Sequence, residues 1–427
     1  MTTNHEFDRQ LADWLDETSA QRVPDHLVDV LLVTRATRQR RWWSSPERWL
    51  PMDLTSRVST LATPRIGRPL LVGLLILAIV GLAILTVGSR QRTLPPPFGP
   101  AKNGAITFAT GGDIFALDSI DGTPHLLVGG ATGDFAPGFW RDGTRLGFLR
   151  DTHTTGGFGV GLMVADADGS NVRQLVDLID GSAWSDPSPD GSLIAFAGTY
   201  RGLDGIHLLN TTGTAAPDRL DAGVKSVTWL NWRPPVGREL LYVDAEAGDF
   251  RLYGVEPDGT GRRLIKDLGV LNSNTKFNLD PNVSPDGRFL VYAVQEGDLF
   301  HNHLVDLDTG ADRPLSLGPA GHHELHGQFS PDGRKLLFHG ADNVAPQIQE
   351  MLAPLDGSSP ALPIGPPYPI IDGSAELNQT FSPDGRTVVI IEGRDKQVRL
   401  VDATTGGLGR TVSWLADDLP GWQRLAP

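Results

Sequence analysis

Ser330-Pro331-Asp332-Gly333, followed directly by Arg334-Lys335-Leu336-Leu337-Phe338, reads as a tight turn that opens into an apolar strand. Proline presets φ for the turn, aspartate hydrogen-bonds back to nearby backbone, and glycine takes the positive φ that reverses the chain. The apolar run behind it has the character of a buried strand. The same device stands at Ser188-Pro189-Asp190-Gly191, Ser284-Pro285-Asp286-Gly287 and Ser382-Pro383-Asp384-Gly385, ahead of runs such as Ile194-Ala195-Phe196 and Val388-Val389-Ile390-Ile391. Trp140-Arg141-Asp142-Gly143 and Pro234-Pro235-Val236-Gly237 are looser copies. The turn glycines at 143, 191, 237, 287, 333 and 385 lie 46 to 52 residues apart. A period of about 45 residues with about four strands in each is the signature of propeller blades.

Six turns do not limit the count to six blades. Gly104-Ala105-Ile106-Thr107-Phe108 and Asp113-Ile114-Phe115-Ala116-Leu117 match the second and third strands of a further blade that lacks its first. Pro420-Gly421-Trp422-Gln423-Arg424-Leu425 has the look of the missing strand. The expected fold is therefore all-β, a seven-bladed propeller over residues 103–427 closed by its C-terminal strand, with six blades as the alternative. Such closure pairs the edge that the first blade would otherwise expose and ties the two ends of the repeat domain together.

These turns, the strands after them and Asp-rich hairpins such as Val305-Asp306-Leu307-Asp308-Thr309-Gly310 resemble those of TolB-type, WD-repeat-like propellers. The propellers of prolyl oligopeptidases are related to them. The resemblance covers about residues 103–427 and implies a fold more than a task. Its members act in envelope assembly, in protein binding and in sugar or peptide chemistry. A peptidase domain is not expected in this sequence, which shows no Gly-x-Ser-x-Gly elbow and no room for a hydrolase domain after the last blade.

Upstream of the repeats the chain changes character. Pro69 to Gly88 (PLLVGLLILAIVGLAILTVG) is an uncharged apolar run. At roughly 1.5 Å per residue it spans about 30 Å, the thickness of a bilayer's hydrocarbon core. Eight arginines crowd residues 35–68 against Glu47 and Asp53, while only Arg90, Arg92 and Lys102 follow the run. Positive charge stays on the cytoplasmic side. The expected layout is a cytoplasmic helical segment at 1–68, a transmembrane helix at 69–88, a Pro-rich linker at 89–102 and an extracytoplasmic propeller. Within the first segment, Phe7, Leu11, Trp14 and Leu15, and then Leu27, Val30, Leu31 and Thr34, mark two short amphipathic helices. The order of helices, span and exported domain is similar to that of transmembrane anti-sigma factors. The zinc-binding His and Cys residues of many of those proteins are absent. That likeness implies a cytoplasmic regulatory partner.

Charge narrows the partners. Residues 1–92 hold 12 arginines and no lysine against 9 acidic residues, a balance of +3, and the remainder stands at −17. An acidic bulk disfavours nucleic acid. The absence of cysteine removes disulfides, thiolate metal sites and a cysteine nucleophile together.

Candidate chemistry centres on His322-His323-Glu324-Leu325-His326, just before the sixth turn. His322, His323 and His326 are of a type that binds zinc or a similar metal, though the spacing is not that of His-Glu-x-x-His, and a solvated polar loop has the same composition. No cofactor is otherwise indicated. The seventh residue before each turn glycine is Ala136, Trp184, Leu230, Asp280, His326 or Asn378. On an innermost strand, Asp280, His326 and Asn378 converge at the channel mouth, with Glu324 and Glu376 nearby, as a ligand pocket. A register change of one residue turns them away. Asp166-Ala167-Asp168-Gly169 and similar turns lack the glutamate of a calcium loop.

The functional expectation is a non-enzymatic, membrane-anchored module that binds a protein, peptide or glycan outside the bilayer and signals to a cytoplasmic regulator. The alternatives are an enzyme with a metal or His/carboxylate site in the channel, and an envelope-assembly scaffold.

Overall fold

The computed structural model describes residues 94–426 apart from 153–158, 213–214, 221–223, 225, 247, 271–280, 343–346, 371–376 and 393–394. The expected cytoplasmic helices and the span from Pro69 to Gly88 lie outside the described residues, as do Asp280 and Glu376. Within them there is no α-helix, and the chain is a seven-bladed β-propeller.

Blade 1 takes β1 (Lys102–Thr110), β2 (Asp113–Leu117) and β3 (His125–Val128). Blades 2 and 3 share one ladder of β4 (Asp134–Phe139), β5 (Arg145–Asp151), β6 (Gly159–Asp166), β7 (Arg173–Pro187), β8 (Leu193–Tyr200), β9 (Leu203–Asn210) and β10 (Asp218–Leu220). Blade 4 is β11 (Val227–Trp232), β12 (Leu240–Glu246), β13 (Asp249–Val255) and β14 (Arg263–Val270). Blade 5 is β15 (Asn282–Val283), β16 (Phe289–Glu296), β17 (Leu299–Asp306) and β18 (Asp312–Pro314). Blade 6 is β19 (His322–Phe329), β20 (Lys335–Asp342), β21 (Gln347–Pro354) and β22 (Leu362–Pro369). Blade 7 is β23 (Leu377–Phe381), β24 (Thr387–Glu392), β25 (Gln397–Asp402) and β26 (Arg410–Leu415). The last strand, β27 (Gly421–Leu425), pairs antiparallel with β1 through Lys102↔Leu425, Asn103↔Arg424, Ile106↔Trp422 and Thr107↔Gly421. It is the missing first strand of blade 1, as the sequence led us to expect. One feature departs from the repeat. Strand β7 is a single strand of 15 residues that serves as the outer strand of blade 2 and then the inner strand of blade 3.

The Ser-Pro-Asp-Gly turns owe their recurrence to a closed set of hydrogen bonds. In blade 7, Ser382 Oγ donates to Asp384 Oδ1 at 2.6 Å and accepts the Thr387 N–H at 3.0 Å, while Asp384 Oδ1 accepts the Arg386 N–H at 3.0 Å. The other three copies repeat the pattern. Each serine is buried, so its hydroxyl answers backbone that water does not reach. Gly287 shows why the last position is glycine. Its φ is +70°, and a Cβ there would stand 1.8 Å from the Pro234 carbonyl oxygen of the neighbouring blade.

The apolar strands behind these turns pack blade against blade. Seven hydrophobic clusters each join two consecutive blades, for instance Leu337, Ile348 and Leu352 with Phe381, Val388 and Ile390 between blades 6 and 7. The cluster of Ile106, Phe108 and Leu117 with Val389, Val398 and Trp414 closes the ring between blades 7 and 1.

Ser382→Ala removes a buried donor and acceptor together and leaves the Thr387 N–H unanswered. Urea unfolding of the full chain is expected to show a loss of about 1–3 kcal/mol. An unchanged midpoint would show that the turn does not depend on this hydroxyl.

Candidate functional site in the propeller channel

Inner strands β4, β7, β11, β15, β19, β23 and β27 surround the channel. On β19 the backbone bulges at His326, which has a φ of +53° and breaks the register between Leu325 and Gln328. The half-buried His326 ring lies 4.8 Å from the ring of buried His339. His339 Nε2 stands 2.8 Å from Gln379 Oε1 and 2.9 Å from Glu350 Oε1, and Glu350 is fully buried. Gln379 Nε2 also donates to the His326 carbonyl at 3.4 Å. This polar set joins blade 6 to blade 7, and the residue that reaches in from blade 7 is Gln379. Its neighbour Asn378 is exposed on the strand's other face.

His323 and Glu324 are engaged in holding backbone. Glu324 is buried, and its Oε1 accepts the N–H groups of Leu317 at 2.9 Å and Gly318 at 2.5 Å. Burial pushes its carboxyl above the ordinary glutamate range, against those two bonds, which pull it back. His323 Nδ1 accepts the Phe300 N–H at 3.1 Å and so ties blade 6 to blade 5. His322 begins β19 opposite Asp342. Among the described residues no three His, Asp or Glu side chains are placed to share a metal ion.

A different feature of the channel wall is open. Between blades 2 and 3 lies a cavity of roughly 330 Å³ lined by Ala136, Gly138, Trp140, Gly147, Phe148 and Trp184, with further apolar groups behind them. Two glycines make the space. A Cβ on Gly138 would meet nothing within 4 Å, and one on Gly147 would touch the Trp140 indole at 3.2 Å. Trp184 stands 40% exposed beside it. The Ala136 N–H at the rim donates to Asp418 Oδ2 at 3.0 Å. Ala136 and Trp184 occupy the same place in the repeat as His326, a position where only the polar residues drew attention in the sequence. An aromatic next to a glycine-lined gap leaves little mark in a sequence, because the gap consists of side chains that are not there.

At the same end of the propeller, the hairpin between second and third strands of every blade brings an aspartate: Asp113, Asp151, Asp204, Asp249, Asp298, Asp342 and Asp395. Arg150 is answered there by buried Asp134 at 2.6 Å, and Lys396 by Asp417 at 2.5 Å. The opposite end carries the Ser-Pro-Asp-Gly turns. There Arg141 Nη2 donates to both oxygens of Asp186 at 2.9 Å, and Asp186 Oδ2 accepts the Trp232 N–H at 2.9 Å. Three consecutive blades are thus linked below the aromatic cavity.

No family model matches the chain. Over 148 residues it is 28% identical to the TolB homologue of Chlorobium luteolum, a stretch covering 34% of this chain and 31% of that protein. The chain thus matches less than a third of that curated relative's length. Among solved structures, the periplasmic gluconolactonase of Pseudomonas aeruginosa superposes with a TM-score of 0.51 at 18% identity, over 76% of this chain and 99% of that one. TolB from Acinetobacter baumannii gives 0.44 at 15% identity, over 76% and 81%. The sequence match agrees with the TolB-type resemblance of the turns, and the structural likeness is one of fold.

The raised carboxyl of Glu324 has a consequence for stability. An acid whose folded pKa lies above its unfolded one contributes stability at low pH, and loses that contribution as pH rises through the folded value. Subtracting the stability of Glu324→Gln from that of the wild type isolates this group. The difference should fall as pH rises above the ordinary glutamate range, and a pH-independent difference would contradict the assignment.

Proposed function

We propose that this chain is a single-pass membrane protein whose extracytoplasmic propeller binds a protein or peptide at the acidic end of its channel. The aromatic cavity beside Trp184 carries the reading. An exposed tryptophan against a gap between packed blades is the kind of place where an interface anchors a large apolar side chain. The aspartates around that end favour a partner with positive charge, and Asp418 brings acidic charge to the rim of the cavity. His323 and His339 are engaged across blade boundaries, with the Phe300 N–H and with Gln379, and Glu324 is engaged with two backbone N–H groups, which supports a structural role for them. The TolB-type resemblance supports a protein-binding role in the envelope. The run from Pro69 to Gly88 and its arginine-rich flank support anchoring with the N-terminus in the cytoplasm. Residues 1–68 would then dock a cytoplasmic regulatory protein and report occupancy of the propeller.

Selection from a random peptide library on the full chain should enrich Trp, Phe or Leu flanked by Lys or Arg. Binding of such a peptide should weaken with salt. Trp184→Ala should lower its affinity at least tenfold, about 1.4 kcal/mol. Gly138→Leu fills the cavity from a position with room for a side chain and should block binding without unfolding the chain. Failure to enrich anchored cationic peptides, or indifference to both variants, would refute the assignment.

Orientation is testable because the chain has no cysteine of its own. A membrane-impermeant maleimide applied to intact cells should label Ser359→Cys, on an exposed loop of blade 6, and spare Ser56→Cys. Labelling of Ser56→Cys alone would invert the topology.

A further inference from the structure

At the turn-bearing end of the channel the charges of half-buried side chains do not balance. Residues 94–101 cross beneath the inner strands and are fastened there. Phe98 lies under the Arg141 guanidinium, 4.2 Å from its carbon, and the Ala101 N–H donates to the Pro383 carbonyl at 2.9 Å. Arg424, on β27, donates through Nη2 to the carbonyls of Pro96 at 3.0 Å and Gly99 at 2.7 Å. Both guanidinium groups border one cavity of roughly 350 Å³. Asn231, Asn282, Gln328 and Thr380 supply neutral polar walls.

Two cations therefore face this space, with one carboxylate in reach. Asp186 is already taken, with both oxygens on Arg141 and one also on the Trp232 N–H. Among the described residues Arg424 has no carboxylate partner, and the Nε atoms of Arg424 and Arg141 are buried without a hydrogen bond. Burial and the nearby charge of Arg141 pull Arg424 down to about 10, so it is still cationic at neutral pH. A half-buried charge whose only partners are backbone carbonyls gains from a counter-ion.

We infer that the cavity between Arg141 and Arg424 is a binding site for a small organic carboxylate. The excess is one positive charge, which a monoanion neutralises. A guanidinium fork matches the two oxygens of a carboxylate. The amides and hydroxyl of the walls offer hydrogen bonds to ligand hydroxyls and add no further charge. The volume lies at the lower end of small-molecule sites and suits a free acid. The ligand would rest against Pro97, Phe98 and Gly99, so occupancy would also secure the segment through which the chain enters the propeller.

Isothermal titration of the full chain in nanodiscs, with lactate as the probe and inorganic phosphate and chloride as comparison anions, tests this. Lactate should bind saturably at one per chain, more tightly than the other two, and Arg424→Gln should weaken it at least tenfold. Should Arg424→Gln fail to fold, Asn231→Asp places a carboxylate on the cavity wall as a built-in counter-ion. That variant should melt higher than the wild type and bind lactate at least tenfold more weakly. Absence of saturable lactate binding to the wild type would overturn the proposal. So would tighter binding of phosphate or chloride, or lactate bound by the folded variant as tightly as by the wild type.

Discussion

The ladder between β27 and β1 brings together parts of the chain that are more than three hundred residues apart, and the geometry of the channel depends on it. Gln423 accepts the Ala105 N–H at 3.2 Å and donates to the Gly143 carbonyl at 2.7 Å, so the closing strand grips blades 1 and 2 at once. Seven interblade clusters form a continuous belt only if this seam holds. A propeller left open would expose the edge of β1 and separate the two ends of the apolar belt, and an unpaired edge is an invitation to aggregate. The seam also places Arg424 on the channel floor and Asp418 at the rim of the aromatic cavity. Both ends of the channel thus carry residues contributed by the last few positions of the chain.

Within that closed ring, the blades are not equivalent. In blade 2 the inner strand β4 presents Gly138 and its neighbour β5 presents Gly147, and together they leave room. The backbone bulge recurs at Ala136 and at His326, each seven residues before a turn glycine and each at positive φ. In blade 6 that bulge carries an imidazole packed on His339, and in blade 2 it carries only a methyl group beside the gap. The same local device gives a stiff polar joint in one blade and a recess in the other. Functional differences in a repeat protein reside in such departures, because the shared elements are committed to holding the ring.

Much of the architecture could be read from the sequence because it is local. Ser382, Asp384 and Gly385 each act on backbone within five residues, so the turns and the strands behind them announce themselves. The closing strand was legible from the blade it completes. The continuity of β7 across two blades was not, since it depends on a connection short enough for one ladder to run on into the next. In blade 7 it is Gln379 that meets His339, and Asn378 is exposed on the other face of the strand. The inner strand of blade 7 runs without the bulge that β4 and β19 carry, so the same count from the turn glycine lands on a different face. Glu324, a candidate for the channel mouth in the sequence, accepts two backbone N–H groups. Neither the cavity at Gly138 nor the missing counter-ion of Arg424 has a sequence motif, since each is an absence that only packing reveals.

Hydrogen–deuterium exchange on the full chain, with and without a bound cationic, aromatic-anchored peptide, tests the central claim most directly. Binding at the proposed place should slow exchange in β4, in the end of β7 around Trp184 and in the hairpins of blades 1 to 3 that carry Asp113, Asp151 and Asp204. Protection confined to outer strands such as β22 and β26, with β4 and β7 unchanged, would contradict it.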